Sequence, residues 1–354
     1  MEIWVFLGVI FFCSIVISWI LIVVVKAIFF KYSLLDNPKK YAKNRLPVPY
    51  GMGIVFFLVF GIFSLFSFFF FPEFNEAIGT KHILLLAFGI ITLVSFFDDR
   101  VNLSPKIRLT IQIVIGMILG LTVVQIGYIL PIFSYFFGEN IIFPSQILPF
   151  LFTTFWYVFL FNAVNWSDGV PGNTSLLGVC FCVLFVLVKL ISTDGTQAMQ
   201  ENTIFFLSIT SIILGALLVF FFFDVREKIL MGDSGTMFLG FLLASMAIIV
   251  GGKIGTVASV FGVYMIDALY VVLMRILRGK NPLIGDSTHF HHRLLQAGMR
   301  ENMVRMVVFG SAFFFGCLSL FLGTTGKILL FLGITFFVIV FPKSVQYFSK
   351  KSLK

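Results

Sequence analysis

Residues 83–100 read ILLLAFGIITLVSFFDDR. The apolar run 83–97 closes abruptly on two adjacent carboxylates, Asp98 and Asp99, followed by Arg100. An apolar stretch that ends in charge is the pattern of a helix leaving a bilayer. The chain has only 16 acidic residues in 354, and two side by side at such a boundary are costly unless something cationic meets them. The macrodipole adds to the cost, because it is negative at a helix C-terminus. A solvated pair matched by Arg100 is one account of the string. A bound hard cation such as Mg2+, which prefers oxygen ligands, is the other.

The rest of the chain has the same apolar character. Hydrophobic residues make up 59% and charged residues 12%, with a mean hydropathy of +1.06. Soluble domains carry roughly 25% charged residues, so the chain reads as an integral membrane protein. The 49 Phe residues are lipid-facing and interhelical filler. The net charge of +9 does not argue for nucleic acid, since a polytopic chain spends its Lys and Arg on orientation. Cys13, Cys180, Cys182 and Cys317 all fall in apolar runs without a metal-binding spacing, and read as small hydrophobes.

Apolar runs predict an all-α, polytopic fold of about eleven transmembrane helices, near 3–25, 50–71, 83–97, 107–130, 148–166, 176–191, 203–223, 234–250, 254–274, 304–323 and 326–342. No basic segment precedes the first run, so it reads as a retained helix rather than a signal peptide. With the N-terminus outside, all but Lys81, Lys189, Lys253 and Lys327 of the 25 Lys and Arg lie on the inner side. That bias sets the C-terminus in the cytoplasm. Residues 1–354 read as a single transmembrane domain, with inner loops near 26–49, 98–106, 167–175, 224–233 and 275–303.

Every unusual polar cluster falls on that inner side. Asn162, Asn165 and Asp168 are spaced i, i+3 and i+6, which on a helix holds them within about a 120° arc. The Gly169-Val170-Pro171-Gly172 stretch then breaks the helix. Gly232-Asp233-Ser234-Gly235 opens the next-but-two run. It reads either as a simple N-cap or as a glycine-flanked helix start whose N–H groups meet a phosphate. His289, His291 and His292 lie within four positions, beside Arg293. Zinc is open there, but without a nearby Cys an anion-binding loop for a diphosphate fits better. Asp267 sits inside an apolar run, about 10 Å below the inner boundary by helix rise. A transporter would place its acids near the midplane, accessible in turn from both sides. One-sided clustering favours phosphoryl chemistry between a cytosolic substrate and a membrane-embedded acceptor.

In order along the chain, these blocks resemble the polyprenyl-phosphate N-acetylhexosamine-1-phosphate transferase family. Asp36-Asn37-Pro38 to Gly53 is similar to its first cytoplasmic loop, Asp98-Asp99 to its aspartate pair, and Asn162 to Gly169 to its N-x-x-N-x-x-D-G block. Gly232 to Gly235 is similar to its G-D-x-G block, and His289 to Leu294 to the H-x-H-H-R-L loop of its undecaprenyl-phosphate GlcNAc-1-phosphate branch. Two departures stand out. The family's D-G-x-D-G-L is here Asp168-Gly169-Val170-Pro171-Gly172-Asn173, and its paired glycines in the first loop are split as Gly51-Met52-Gly53.

The resemblance implies transfer of a HexNAc-1-phosphate from a UDP-sugar to polyprenyl phosphate, in the plasma membrane with the active site facing the cytoplasm. It implies Asp233 and Asn165 nearest a Mg2+ ion, with Mn2+ an alternative. Asp98 or Asp99 would position the lipid phosphate or take its proton, and Asp168 would lie near the nucleotide. Asp36, Lys40, Asn162, Gly169, His289, His291, His292 and Arg293 would contact substrate. The expected partners are the UDP-sugar, the lipid phosphate and the bilayer, with no nucleic acid and a homodimer left open. Another UDP-HexNAc donor, or a transporter without chemistry, are the competing readings.

Overall fold

The computed structural model describes residues 2–41, 45–70, 81–122, 147–191, 197–249, 254–281 and 287–352. Thirteen α-helices and one 3₁₀ turn carry these residues. In order they are α1 (Glu2–Lys31), α2 (Ile54–Phe70), α3 (Lys81–Val101), α4 (Pro105–Thr122), α5 (Ile147–Asn165), α6 (Asn173–Ile191), α7 (Gln197–Asp224), α8 (Gly232–Ile249), α9 (Ile254–Val260), α10 (Gly262–Leu277), α11 (Phe290–Gln296), α12 (Glu301–Leu320) and α13 (Thr324–Ser352). The 3₁₀ turn, Pro38–Tyr41, lies between α1 and α2. Among the described residues the only extended pairing is two isolated bridges, Leu35 with Pro49 and Tyr50 with Leu230.

A helix lies in every apolar run, as far as those runs are described, although the second starts only at Ile54 and the tenth ends at Leu320; residues 71, 123–130 and 250 lie outside the described residues. The run read as one helix over 254–274 is two, broken at Phe261. Gly262 explains the break: a Cβ there would stand 2.7 Å from Cδ1 of Ile334, so α10 starts where it meets α13 with no side chain between. By length and composition, four stretches among the described residues suit a membrane crossing: Trp4–Lys31, Leu207–Asp224, Glu301–Leu320 and Thr325–Lys351. Exposed Trp4, Phe12, Trp19, Phe314 and Phe336 lie along them. Contiguous exposed apolar faces of this kind belong against lipid.

The chain divides into two compact units, Met1–Leu103 with Thr174–Leu242, and Ser104–Asn173 with Leu243–Lys354. In the first, α1 packs along α7. Ser14 Oγ donates to the Ile212 carbonyl at 2.5 Å, and a Cβ on Gly215 would lie 2.8 Å from the Phe11 carbonyl oxygen. Small residues let membrane helices approach and share polar contacts in this way. In the second unit, α4 packs on α5 by the same device, with Gly116 and Gly120 against Thr154 and Phe150.

Candidate functional site

In the first unit the loop after α1 is tied to the connector before α8. Leu230 N donates to the Pro49 carbonyl at 2.9 Å, Met52 N to Leu230 at 3.0 Å and Gly53 N to Met231 at 2.9 Å. Asp36 braces this loop from within. Its carboxylate accepts from Val48 N at 2.8 Å and from Arg45 Nη2 at 2.7 Å, and Arg45 Nε also pairs with Glu227. Asp36 was expected on substrate, yet here its carboxylate is engaged with its own loop. Lys40 lies on the 3₁₀ turn, and its side chain falls outside the described residues.

The aspartate pair ends α3 with two different duties. Asp98 is buried and accepts from Leu103 N at 2.6 Å, closing the turn after the helix. Asp99 reaches the start of α8, where Oδ1 accepts from Asp233 N at 2.7 Å and Oδ2 from Ser234 N at 3.1 Å. The helix N–H groups read as a phosphate seat therefore already hold an anion, and it belongs to the protein. A Cβ on Gly232 would stand 2.7 Å from Asp99 Oδ2, and its φ of +73° suits glycine. Arg100 follows, donating to the Tyr50 carbonyl, with its guanidinium 4.8 Å from the Phe29 ring centroid.

Asp233, on the first turn of α8, and Asp99 are both partly exposed. Burial first, and then the Asp233 charge, push Asp99, which lies past the apolar run of α3, up to about 7. A cation at Asp233 would relieve that repulsion. Among the described residues no group of three or more His, Cys, Asp and Glu is arranged to hold a metal. One partly exposed carboxylate beside a second is nonetheless the donor set that suits Mg2+, which takes one or two carboxylates and completes its shell with water and substrate phosphates.

The second unit holds the other group. Asn162 Nδ2 donates to Gln112 Oε1 on α4 and to the Val158 carbonyl, both at 2.7 Å, so this amide joins two helices. Asn165 is the last residue of α5 and partly exposed. Asp168 lies in the turn beyond it, with its N–H on the Asn165 carbonyl at 3.2 Å. The turn is clamped from outside: Asn173 Nδ2 donates to the Ser167 carbonyl at 2.8 Å, and buried Arg305 donates to the Pro171 carbonyl at 2.8 Å. Where the family pattern has an aspartate, the arginine meets a proline carbonyl.

The three histidines differ in kind. His289 is buried and its ring stacks on Trp166, 5.3 Å between centroids. His291 is 1% exposed, and among the described residues neither ring nitrogen has a hydrogen-bond partner. Burial, with His292 and His289 adding to it, holds His291 well below the ordinary imidazole value, so it is neutral and serves as packing rather than as a cation for phosphates. A Cβ on Gly169 would stand 2.0 Å from His291 Nε2. Gly169→Ala is therefore expected to push the His291 ring aside and lower kcat/KM for the donor about 10²-fold. Steady-state kinetics across donor concentrations would show it, and an unchanged KM and kcat would refute it. Arg293 lies over the Tyr270 ring, 4.9 Å to its centroid, and pairs with Asp267 at 2.8 Å.

Gln112, Arg305 and the Arg45–Glu227 pair were missed in the sequence. The first had a signal, a lone amide in an apolar run. Arg305 also had one, a guanidinium near the start of another. The loop brace had none, because it depends on which two distant loops meet.

The described residues are helical and apolar in the manner of a membrane protein, with an acidic cluster in the first unit and amide and histidine groups in the second. A family model described as glycosyl transferase family 4 matches residues 82–251. A probable undecaprenyl-phosphate N-acetylglucosaminyl 1-phosphate transferase of Bacillus subtilis (strain 168) is 27% identical over 95% of this chain and 90% of its own. The undecaprenyl-phosphate alpha-N-acetylglucosaminyl 1-phosphate transferase of Escherichia coli O157:H7 is 26% identical over 78% and 73%. The phospho-N-acetylmuramoyl-pentapeptide-transferase of Enterococcus hirae is 31% identical over 65% and 70%. The chain belongs to glycosyl transferase family 4.

Proposed function

We propose that the protein transfers a HexNAc-1-phosphate, GlcNAc-1-phosphate in the first instance, from a UDP-sugar to undecaprenyl or another polyprenyl phosphate. An oxygen of the lipid phosphate attacks the β-phosphorus of the UDP-sugar. The bond from that phosphorus to the bridging oxygen breaks, and UMP leaves with the bridging oxygen. The observation that carries this reading is the start of α8, where Asp99 caps the helix on the N–H groups of Asp233 and Ser234 and the Asp233 carboxylate stays partly exposed. Family membership and the names of the relatives support it.

Asp233 would hold Mg2+, and the ion when bound would neutralise diphosphate charge. Asp99 acts through Asp233, fixing where its carboxylate stands. No strong base is needed for the lipid phosphate, whose second pKa near 6 leaves it largely ionised at neutral pH. Asp168, His289 and Arg293 would serve the sugar nucleotide. About eleven spans, with the N-terminus outside and the clusters facing the cytoplasm of the plasma membrane, suit a soluble donor and a lipid acceptor. The charge bias supports that orientation.

The test is purified protein with undecaprenyl phosphate, Mg2+ and a panel of UDP-sugars, read by UMP release and lipid-product mass. UMP and a HexNAc-diphospholipid are expected with UDP-GlcNAc. Product only with a different donor moves the assignment to another UDP-HexNAc, which the Pro171 departure keeps in view. No UMP with any donor sinks the reading.

A further inference from the structure

Asp267, on α10, is fully buried and the transfer scheme above gives it no task. Its Oδ2 accepts from Phe290 N at 2.9 Å and faces His289 Nδ1 at 2.9 Å, and its Oδ1 accepts from Arg293 Nη2 at 2.8 Å. Two of these partners, a backbone N–H and a guanidinium, can only donate. The position therefore demands a group that only accepts, which an ionised carboxylate is and an amide is not. With no proton on Oδ2, the proton between it and the imidazole belongs to His289 Nδ1. In the neutral ring that leaves the lone pair on Nε2. Trp166, stacked on the same imidazole, fixes the plane of the ring. The carboxylate also lies on the first N–H of α11, so one buried charge seats the helix, its arginine and its histidine together.

We propose that Asp267 is a positioning residue for the transfer, holding His289 in the Nδ1–H tautomer. His289 Nε2 then meets the sugar nucleotide as an acceptor for a hydroxyl or amide N–H, not as a cation for its phosphates. The role in transfer rests on the reaction proposed above, whereas the tautomer does not. A mispositioned supporting carboxylate of this kind costs activity about tenfold to a hundredfold.

The chain has four histidines, so ¹⁵N-histidine NMR of the full-length protein in nanodiscs can read the tautomer, with His289→Gln identifying the signal. An Nδ1–H pattern for His289 in the parent is expected, and an Nε2–H pattern there overturns the proposal without any Asp267 variant having to fold. Asp267→Ala, which takes the acceptor away from His289 Nδ1, should let the signal shift toward Nε2–H. It should lower kcat/KM for the UDP-sugar about tenfold to a hundredfold and leave KM for the polyprenyl phosphate unchanged. Added to His289→Gln, it should cost less than the product of the two single losses, because both changes remove the Asp267–His289 contact while the Asp267 change also loosens Arg293. Losses that multiply in the double variant overturn the positioning role. No UMP from the parent with any donor sinks the transfer reading, and the role with it, while the tautomer is still read by NMR.

Discussion

Asp233→Asn is expected to lower UMP release by about 10³-fold while leaving the folded protein at least as heat-stable as the parent. The two effects separate because the side chain and the backbone at this position do different things. The backbone N–H of Asp233 is what Asp99 holds, at 2.7 Å, and an asparagine keeps that bond. The side chain is partly exposed and its charge is one cause of the raised pKa of Asp99. Removing it relieves a like-charge contact with the neighbouring carboxylate, which favours folding. It also removes the negative charge proposed to hold Mg2+. Added Mg2+ should raise the melting temperature of the parent and leave that of the variant unmoved. A variant that keeps more than about a tenth of the parent rate would take Asp233 out of the proposed cation site, since losing one well-placed electrostatic group typically costs more.

Gly53→Ala is expected to damage fold and activity together. A Cβ on Gly53 would stand 2.1 Å from Cα and 2.2 Å from N of Gly235. Both are backbone atoms, so no rotamer change relieves the overlap. The start of α8 would have to move away from the loop that Met231 and Gly53 join at 2.9 Å. Overpacking of this kind costs about 3 kcal/mol when backbone must shift. The same movement draws Asp233 and Ser234 off Asp99. A lowered melting temperature with UMP release lost in proportion is the expected pair of results, read by thermal unfolding in detergent and by the transfer assay. A Gly53→Ala protein that melts with the parent would show that the two backbones are not in this contact. The split glycines of the first loop now have separate reasons: Gly51 turns with φ of +81°, and Gly53 admits the neighbouring helix.

Helices were legible in the sequence because lipid demands a long apolar run for each, and the ends of those runs are marked by charge or glycine. The kink at Phe261-Gly262 was not, since a glycine within an apolar run is common in membrane helices and only the approach of Ile334 gives it meaning. At the site, residue types were easier to find than their duties. Asp98, Asp99 and Asp233 stood out as acids in a chain nearly without them. That Asp99 would cap the helix of Asp233 depends on the packing of segments over a hundred residues apart. His289 and His291 look alike in the string, yet one is bonded to a carboxylate and the other is packed against Gly169 without a partner. Charge counting cannot separate them, because what each ring meets in the packed protein decides its part.

The stacking of Trp166 on His289 also equips the protein with an optical reporter. Four tryptophans occur in the chain. Trp4 and Trp19 are exposed on α1, and Trp156 is buried with its indole N–H on the Ala244 carbonyl at 3.2 Å. With those three replaced by Phe, the remaining emission comes from an indole 5.3 Å from one imidazole. Its intensity would follow the displacement of the His289 ring in real time, without a labelled sugar or lipid.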